Sequence, residues 1–128
     1  SIDINEEISD FTKKFISKAK NKQKIHLYTG DAKKIIPEIK HNFDLIFIDA
    51  DKKNYCLYYD MCISKLNPNG FILIDNVLWS GKVINKVKDN DIETKEIKKL
   101  NAKIKNDPRV ENILLPIRDG LMICKLKS

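Results

Sequence analysis

Phe43-Asp44-Leu45-Ile46-Phe47-Ile48 runs straight into Asp49-Ala50-Asp51-Lys52, and this stretch decides the fold. The run Leu45, Ile46, Phe47 and Ile48 is too continuous for a strand with one wet face, and predicts a parallel strand buried on both faces. A second apolar run, Phe71-Ile72-Leu73-Ile74, ends in Asp75-Asn76. Between them residues 55–66 read as a helix, stopped by the turn signal Asn67-Pro68-Asn69-Gly70. Strands separated by helices predict an α/β sheet with connections crossing its faces. In such sheets ligands bind in the crevice beyond the carboxyl ends of the strands. If the two strands are neighbours, Asp49, Asp75 and Asn76 converge there.

Working outward, residues 1–4 read as the tail of a strand and residues 6–20 as a helix. That helix has Ile8, Phe11, Phe15, Ile16 and Ala19 at helical spacing and Asn5 or Asp3 as its N-cap. Residues 24–28 predict a short strand closed by Thr29-Gly30. Residues 32–39 predict a short helix, made irregular by Pro37. Towards the other end, residues 80–90 read as a polar loop and residues 92–105 as an amphipathic helix. Residues 110–116 and 121–126 read as closing strands, an antiparallel pair around Arg118-Asp119-Gly120. A length of 128 residues allows one core and not two, so residues 1–128 are expected to form a single domain. The chain opens inside an element, which leads us to expect a portion of a longer polypeptide.

Hydrophobic residues make up 42% and charged residues 33%, a balance that excludes a disordered chain. No apolar run approaches the roughly 20 residues that span a bilayer, and no signal-peptide pattern opens the chain. The net charge of +6 admits an anionic partner. Its lysines are scattered throughout, however, which favours a role in solubility over a dedicated nucleic-acid patch. Cys56, Cys62 and Cys124 are odd in number and form no CxxC pair, so reduced thiols in a cytoplasmic protein are expected.

Two carboxylates and an amide oxygen at two strand ends form an all-oxygen, anionic set suited to a hard divalent ion. The plainer reading of an acid after a strand is a cap on the following helix. Acidic clusters on consecutive strands weigh against it. Lys52, three residues after Asp49, reads either as a surface lysine or as a general base beside a substrate hydroxyl.

Gly30-Asp31-Ala32, the stretch from Phe43 through Asp49-Ala50-Asp51-Lys52-Lys53-Asn54-Tyr55, and Asp75-Asn76-Val77-Leu78-Trp79-Ser80-Gly81 together resemble the caffeoyl-CoA and catechol O-methyltransferase family. So does the ending from Asp107-Pro108-Arg109-Val110 to Asp119-Gly120-Leu121. The resemblance covers essentially the whole chain and implies a Rossmann-like, S-adenosylmethionine-dependent methyltransferase fold. Its sheet would be mostly parallel with an antiparallel closing strand. The family's first strand and the glycine-rich loop after it have no counterpart here, so the resemblance implies the C-terminal part of the domain, with a gap in the sheet.

Carried over by position, the resemblance implies that Asp3 grips the cofactor ribose and that Asp31 and Ala32 lie beside its adenine. Asp49 and Asp51 would stand on the cofactor side. Asp49, Asp75 and Asn76 would bind the metal, with Mg²⁺ ahead of Mn²⁺ or Ca²⁺. Lys52 would be the catalytic base and would touch substrate, and Trp79 would wall the acceptor. Asp119 would shape the closing turn. The implied reaction is methyl transfer to a hydroxyl of a catechol-like small molecule by a homodimeric enzyme. Two alternatives stay open: a tRNA hydroxyuridine acceptor, or a non-catalytic remnant of the fold.

Overall fold

The computed structural model describes residues 1–127. The chain forms two compact units, Ser1–Lys40 and His41–Ser128. Their strands make two sheets, one in each unit.

In the first unit β1 (Ile2–Asp3) pairs in parallel with β2 (Tyr28–Thr29). Helix α1 (Ser9–Ile16) is shorter than its apolar spacing predicts. The reason lies just before it. Asn5 N–H bonds the Asp3 carboxylate and Glu7 N–H bonds the Asn5 side chain, so these two residues close turns of their own and cap no helix. The predicted strand at residues 24–28 gives way to a 3₁₀ turn (Lys22–Lys24), and only Tyr28 and Thr29 pair. Helix α2 (Ala32–Glu38) is capped by the Asp31 side chain, which accepts from Lys33 N–H at 2.9 Å. Pro37 falls in its last turn and does not break it.

The second unit is a four-stranded sheet in the order β3-β4-β6-β5. β3 (Phe43–Ile48) and β4 (Leu66–Asp75) are parallel. β5 (Val110–Leu115) and β6 (Leu121–Leu126) form the expected antiparallel pair, and β6 also pairs antiparallel with β4. Three strands therefore run one way and β6 alone runs against them, inserted between β4 and β5. A 3₁₀ turn (Lys52–Asn54) leads into helix α3 (Tyr55–Ile63), and helix α4 (Ile92–Lys105) begins at an Asp91 cap. The Asn67-Pro68-Asn69-Gly70 turn signal lies inside β4. The register jumps there, from Phe43 opposite Leu66 to Leu45 opposite Phe71, so these residues form a bulge.

Helices α3 and α4 pack on the sheet face that carries Ile48, Ile72, Ile74, Met122 and Cys124, all buried. Tyr55, Tyr59, Ile97, Leu100 and Ile104 complete this core with no exposed surface. The expectation that β3 is buried on both faces is corrected. Leu45 and Phe47 are 56% and 58% exposed, because their side chains point away from α3. At the lower end of the core the Tyr59 hydroxyl donates to Asp107, whose carboxylate also takes the Arg109 fork. The Arg109 guanidinium holds Asp107 well below the usual carboxylate range.

Two tests follow from this packing. Gly120 adopts a left-handed backbone (φ +84°), and a Cβ there would lie 2.5 Å from Leu78 Cγ and 2.9 Å from the Leu78 nitrogen. Gly120→Ala should therefore lower unfolding free energy by at least about 2 kcal/mol in urea titration; a loss within error would contradict the close approach. Burial raises the thiols of Cys56 and Cys124 to about 12 and that of Cys62 to about 11. Iodoacetamide near pH 8 should consequently alkylate the native protein at least about tenfold more slowly than the urea-unfolded chain. Equal rates would show that the thiols are accessible.

Candidate functional site

Ile48 stands opposite Ile74 in the parallel register of β3 and β4, so the next residues, Asp49 and Asp75, leave adjacent strands at the same level. This places them at the carboxyl edge of the sheet, as the sequence predicts. Lys52 follows on the 3₁₀ turn and is only 9% exposed. Its ammonium donates to Asp49 Oδ1 at 2.8 Å, to the Ala50 carbonyl at 3.3 Å and to the Tyr55 hydroxyl at 2.5 Å. Three N–H groups meet three acceptors, and the charge is compensated by the half-exposed Asp49 carboxylate.

Tyr55 was not legible as a site residue. It is fully buried, and its hydroxyl donates to the Asp75 carbonyl at 3.2 Å while accepting from Lys52. Burial, and then the charges of Asp49, Asp75 and Asp51, push its phenol far above the ordinary range. The phenol thus stays a proton donor. The available signal was its position three residues after Lys52, which brings both side chains to one side of a helical turn.

Asp51 turns onto its own chain, with one oxygen accepting from the Tyr58 hydroxyl and the other from the Asn54 amide. Asp75 Oδ1 accepts the Asn76 N–H, and Asn76 is left-handed (φ 62°). Trp79, Ser80 and Gly81 are left-handed as well. This contorted segment is clamped from two sides. Val77 and Leu78 donate their N–H groups to the carbonyls of Gly120 and Asp119, and Ser80 N–H bonds the Asp119 carboxylate. From α4, Asn101 donates to the Val77 carbonyl at 2.8 Å. The Trp79 ring comes within 5.7 Å of the ammoniums of Lys52 and Lys82, while its buried Nε1 has no hydrogen-bond partner among the described residues. Asp75, Asn76, Ser80, Arg118 and Asp119 line an open hollow.

Lys52, Asp49, Asp75, Asn76 and Trp79 therefore belong to one neighbourhood of the second unit. Asp3, Asp31 and Ala32 lie in the first unit. There Asp3 accepts from Asn5 and Asp31 caps α2, whose first-turn N–H of Ala32 the helix itself cannot use. No group of three or more His, Cys, Asp or Glu side chains gathers at metal-binding distance among the described residues. The donor chemistry of Asp49, Asp75 and Asn76 nonetheless fits a hard cation. One oxygen of each carboxylate is engaged within the chain, which leaves Asp49 Oδ2, Asp75 Oδ2 and the Asn76 amide oxygen.

Residues 1–127 match a family model described as O-methyltransferase. The chain is 33% identical over 138 residues to caffeoyl-CoA O-methyltransferase 1 of Eucalyptus globulus, covering 98% of this chain and 55% of that protein. It is 34% identical over 137 residues to tricin synthase 2 of Oryza sativa subsp. japonica, covering 98% and 47%. The chain thus spans about half the length of the curated relatives it matches. Among solved structures, the O-methyltransferase from Bacillus cereus in complex with SAH superposes with a TM-score of 0.89 at 27% identity, over 98% of this chain and 61% of that one. This superposition establishes the Rossmann-like α/β fold.

Tyr55→Phe would leave a Lys52 N–H and the Asp75 carbonyl without their buried partner. Chemical denaturation should show a loss of about 1–3 kcal/mol, and an unchanged midpoint would remove Tyr55 from this bridge.

Proposed function

This chain belongs to the O-methyltransferase family, and on that footing we propose that it forms part of a divalent-metal-dependent enzyme that moves the methyl group of S-adenosylmethionine to a hydroxyl of a catechol-like small molecule. The observation that carries the reading is the pairing of Asp49 with Asp75-Asn76 at the ends of two register-matched parallel strands, with the buried Lys52 amine on Asp49. Asp49, Asp75 and Asn76 would hold the cation, Mg²⁺ first among candidates, and the chemistry supplied there is polarisation of vicinal hydroxyls towards ionisation.

Lys52 is the group placed to take the acceptor's proton. As arranged it donates to three acceptors, so it can serve as base only after it gives up a proton and exchanges one of those bonds. The Trp79 ring offers an apolar wall for an aromatic acceptor. Asp3, Asp31 and Ala32, with Asp49 and Asp51, are the proposed cofactor contacts. The carboxylates suit ribose hydroxyls, and the Ala32 N–H suits an adenine acceptor nitrogen. Cofactor and acceptor held in register would supply much of the rate enhancement.

A tRNA acceptor is the second reading, permitted by the net charge of +6. One experiment addresses both. In the native polypeptide that carries these residues, Asp49→Ala should reduce Mg²⁺-dependent methyl transfer to catechol by more than about a hundredfold, beyond the usual cost of losing an outer partner. Unchanged activity removes Asp49 from the site, and transfer to tRNA but not to catechol moves the assignment to the second reading.

A further inference from the structure

The segment after β4 keeps a shape that side chains disfavour: Asn76, Trp79 and Ser80 are left-handed, with φ of 62°, 48° and 51°. Its bonds to the turn before β6 engage N–H groups only, those of Val77, Leu78 and Ser80. The Val77 carbonyl is held from α4, where Asn101 Nδ2 donates to it at 2.8 Å. The peptide between Val77 and Leu78 is thus gripped at both ends, its N–H by the Asp119 carbonyl and its C=O by Asn101. It cannot rotate without breaking two bonds. Asn101 also stands on a firm base, since Ile97, Leu100 and Ile104 of the same helix are fully buried. Five residues earlier on α4, Glu96 accepts the Cys56 N–H in the first turn of α3 at 3.2 Å. One helix therefore reaches both the segment after β4 and the helix start beside Tyr55. A carbonyl only accepts, so Nδ2 must face Val77, and the Asn101 Oδ1 is left buried with no partner among the described residues. An orphaned buried acceptor costs stability, and an apolar side chain would fill the space without it. What the amide contributes is its bond to Val77.

We propose that Asn101 is a positioning residue: through the Val77 carbonyl it sets the direction in which the adjoining Asn76 presents its side-chain amide, and thereby the affinity of the site for a divalent cation. This rests on the cation reading of Asp49, Asp75 and Asn76 above and deepens it. Asn101 acts through the backbone and is not itself a ligand. Side chains that orient a metal's ligands commonly govern affinity in this way, because the ligand then pays no ordering cost on binding.

The test compares the native polypeptide with Asn101→Leu and Asn101→Ala, and with Asn112→Leu as control. Leucine fills the volume of the amide and alanine favours the helix, so loss of the donor is separated from loss of packing. Asn112 makes the same kind of bond, donating to the Ile104 carbonyl at 3.2 Å, and does not line the hollow. Mn²⁺ alone, followed by the electron paramagnetic resonance of the free ion, should bind both Asn101 variants about tenfold or more weakly, the usual range for losing an outer partner of a metal ligand. The control should bind it as the native protein does. NMR couplings that report φ should show Asn76 and Trp79 leaving the left-handed region in the Asn101 variants only. Native affinity or native couplings in a folded Asn101 variant overturn the proposal. Equal weakening by Asn112→Leu also overturns it, because that marks a general loosening. Failure of both Asn101 variants to fold, read by circular dichroism, assigns the residue to stability alone and overturns it as well. If the native polypeptide takes up no Mn²⁺ the cation reading fails, and the couplings still decide whether Asn101 positions Asn76.

Discussion

An ammonium withdrawn from water keeps its charge only where acceptors replace the lost hydration. Lys52 meets that demand with the Asp49 carboxylate, the Ala50 carbonyl and the Tyr55 hydroxyl. The three acceptors come from the residue after β3, the link that follows it and the first residue of α3. Tyr55 extends the chain of bonds to the Asp75 carbonyl, so the last residue of β4 is drawn in as well. One side chain thereby ties together two strand ends and a helix start. The core and the candidate site are consequently parts of one hydrogen-bonded cluster, and a change in either is felt in the other.

The other side of the site is held by a different device. Asn76, Trp79, Ser80 and Gly81 all take left-handed conformations that an isolated chain would rarely adopt. Such a segment persists only when its surroundings over-determine it. Here the turn of Asp119 and Gly120 receives the Val77 and Leu78 N–H groups, and Asn101 reaches across from α4 to the Val77 carbonyl. Gly120 approaches Leu78 so closely that no side chain fits between them. Residues distant in sequence therefore shape the hollow lined by Asp75, Asn76 and Arg118.

Where local pattern and tertiary burial agree, the sequence is a reliable guide. The bounds of β3, α4 and β6 follow from apolar runs, amphipathic spacing and the turn at Arg118-Asp119-Gly120. Where local turns compete with the pattern, it misleads. The apolar stripe of residues 6–20 predicts more helix than α1 contains, and Phe11 and Phe15 remain 64% and 55% exposed. Continuous hydrophobicity in β3 likewise suggests two covered faces, whereas α3 and α4 cover one. Asn67-Pro68-Asn69-Gly70 carries turn chemistry that β4 absorbs as a bulge. In the site, Asp49, Lys52, Asp75 and Asn76 were legible because each sits next to a strong strand. Tyr55 and Asn101 were not, since an interior tyrosine and a helix asparagine announce no long-range partner.

The place of β6 has a consequence for how the chain reaches its native state. It is an inner strand of its sheet, yet it follows the other three described strands of that sheet in sequence. During synthesis Asp75 must wait for Leu121 before that edge of β4 is paired, and β5 waits for the same strand. A nascent chain emerging from the ribosome therefore carries β4 with one open flank, a species exposed to intermolecular pairing until the last turn is complete.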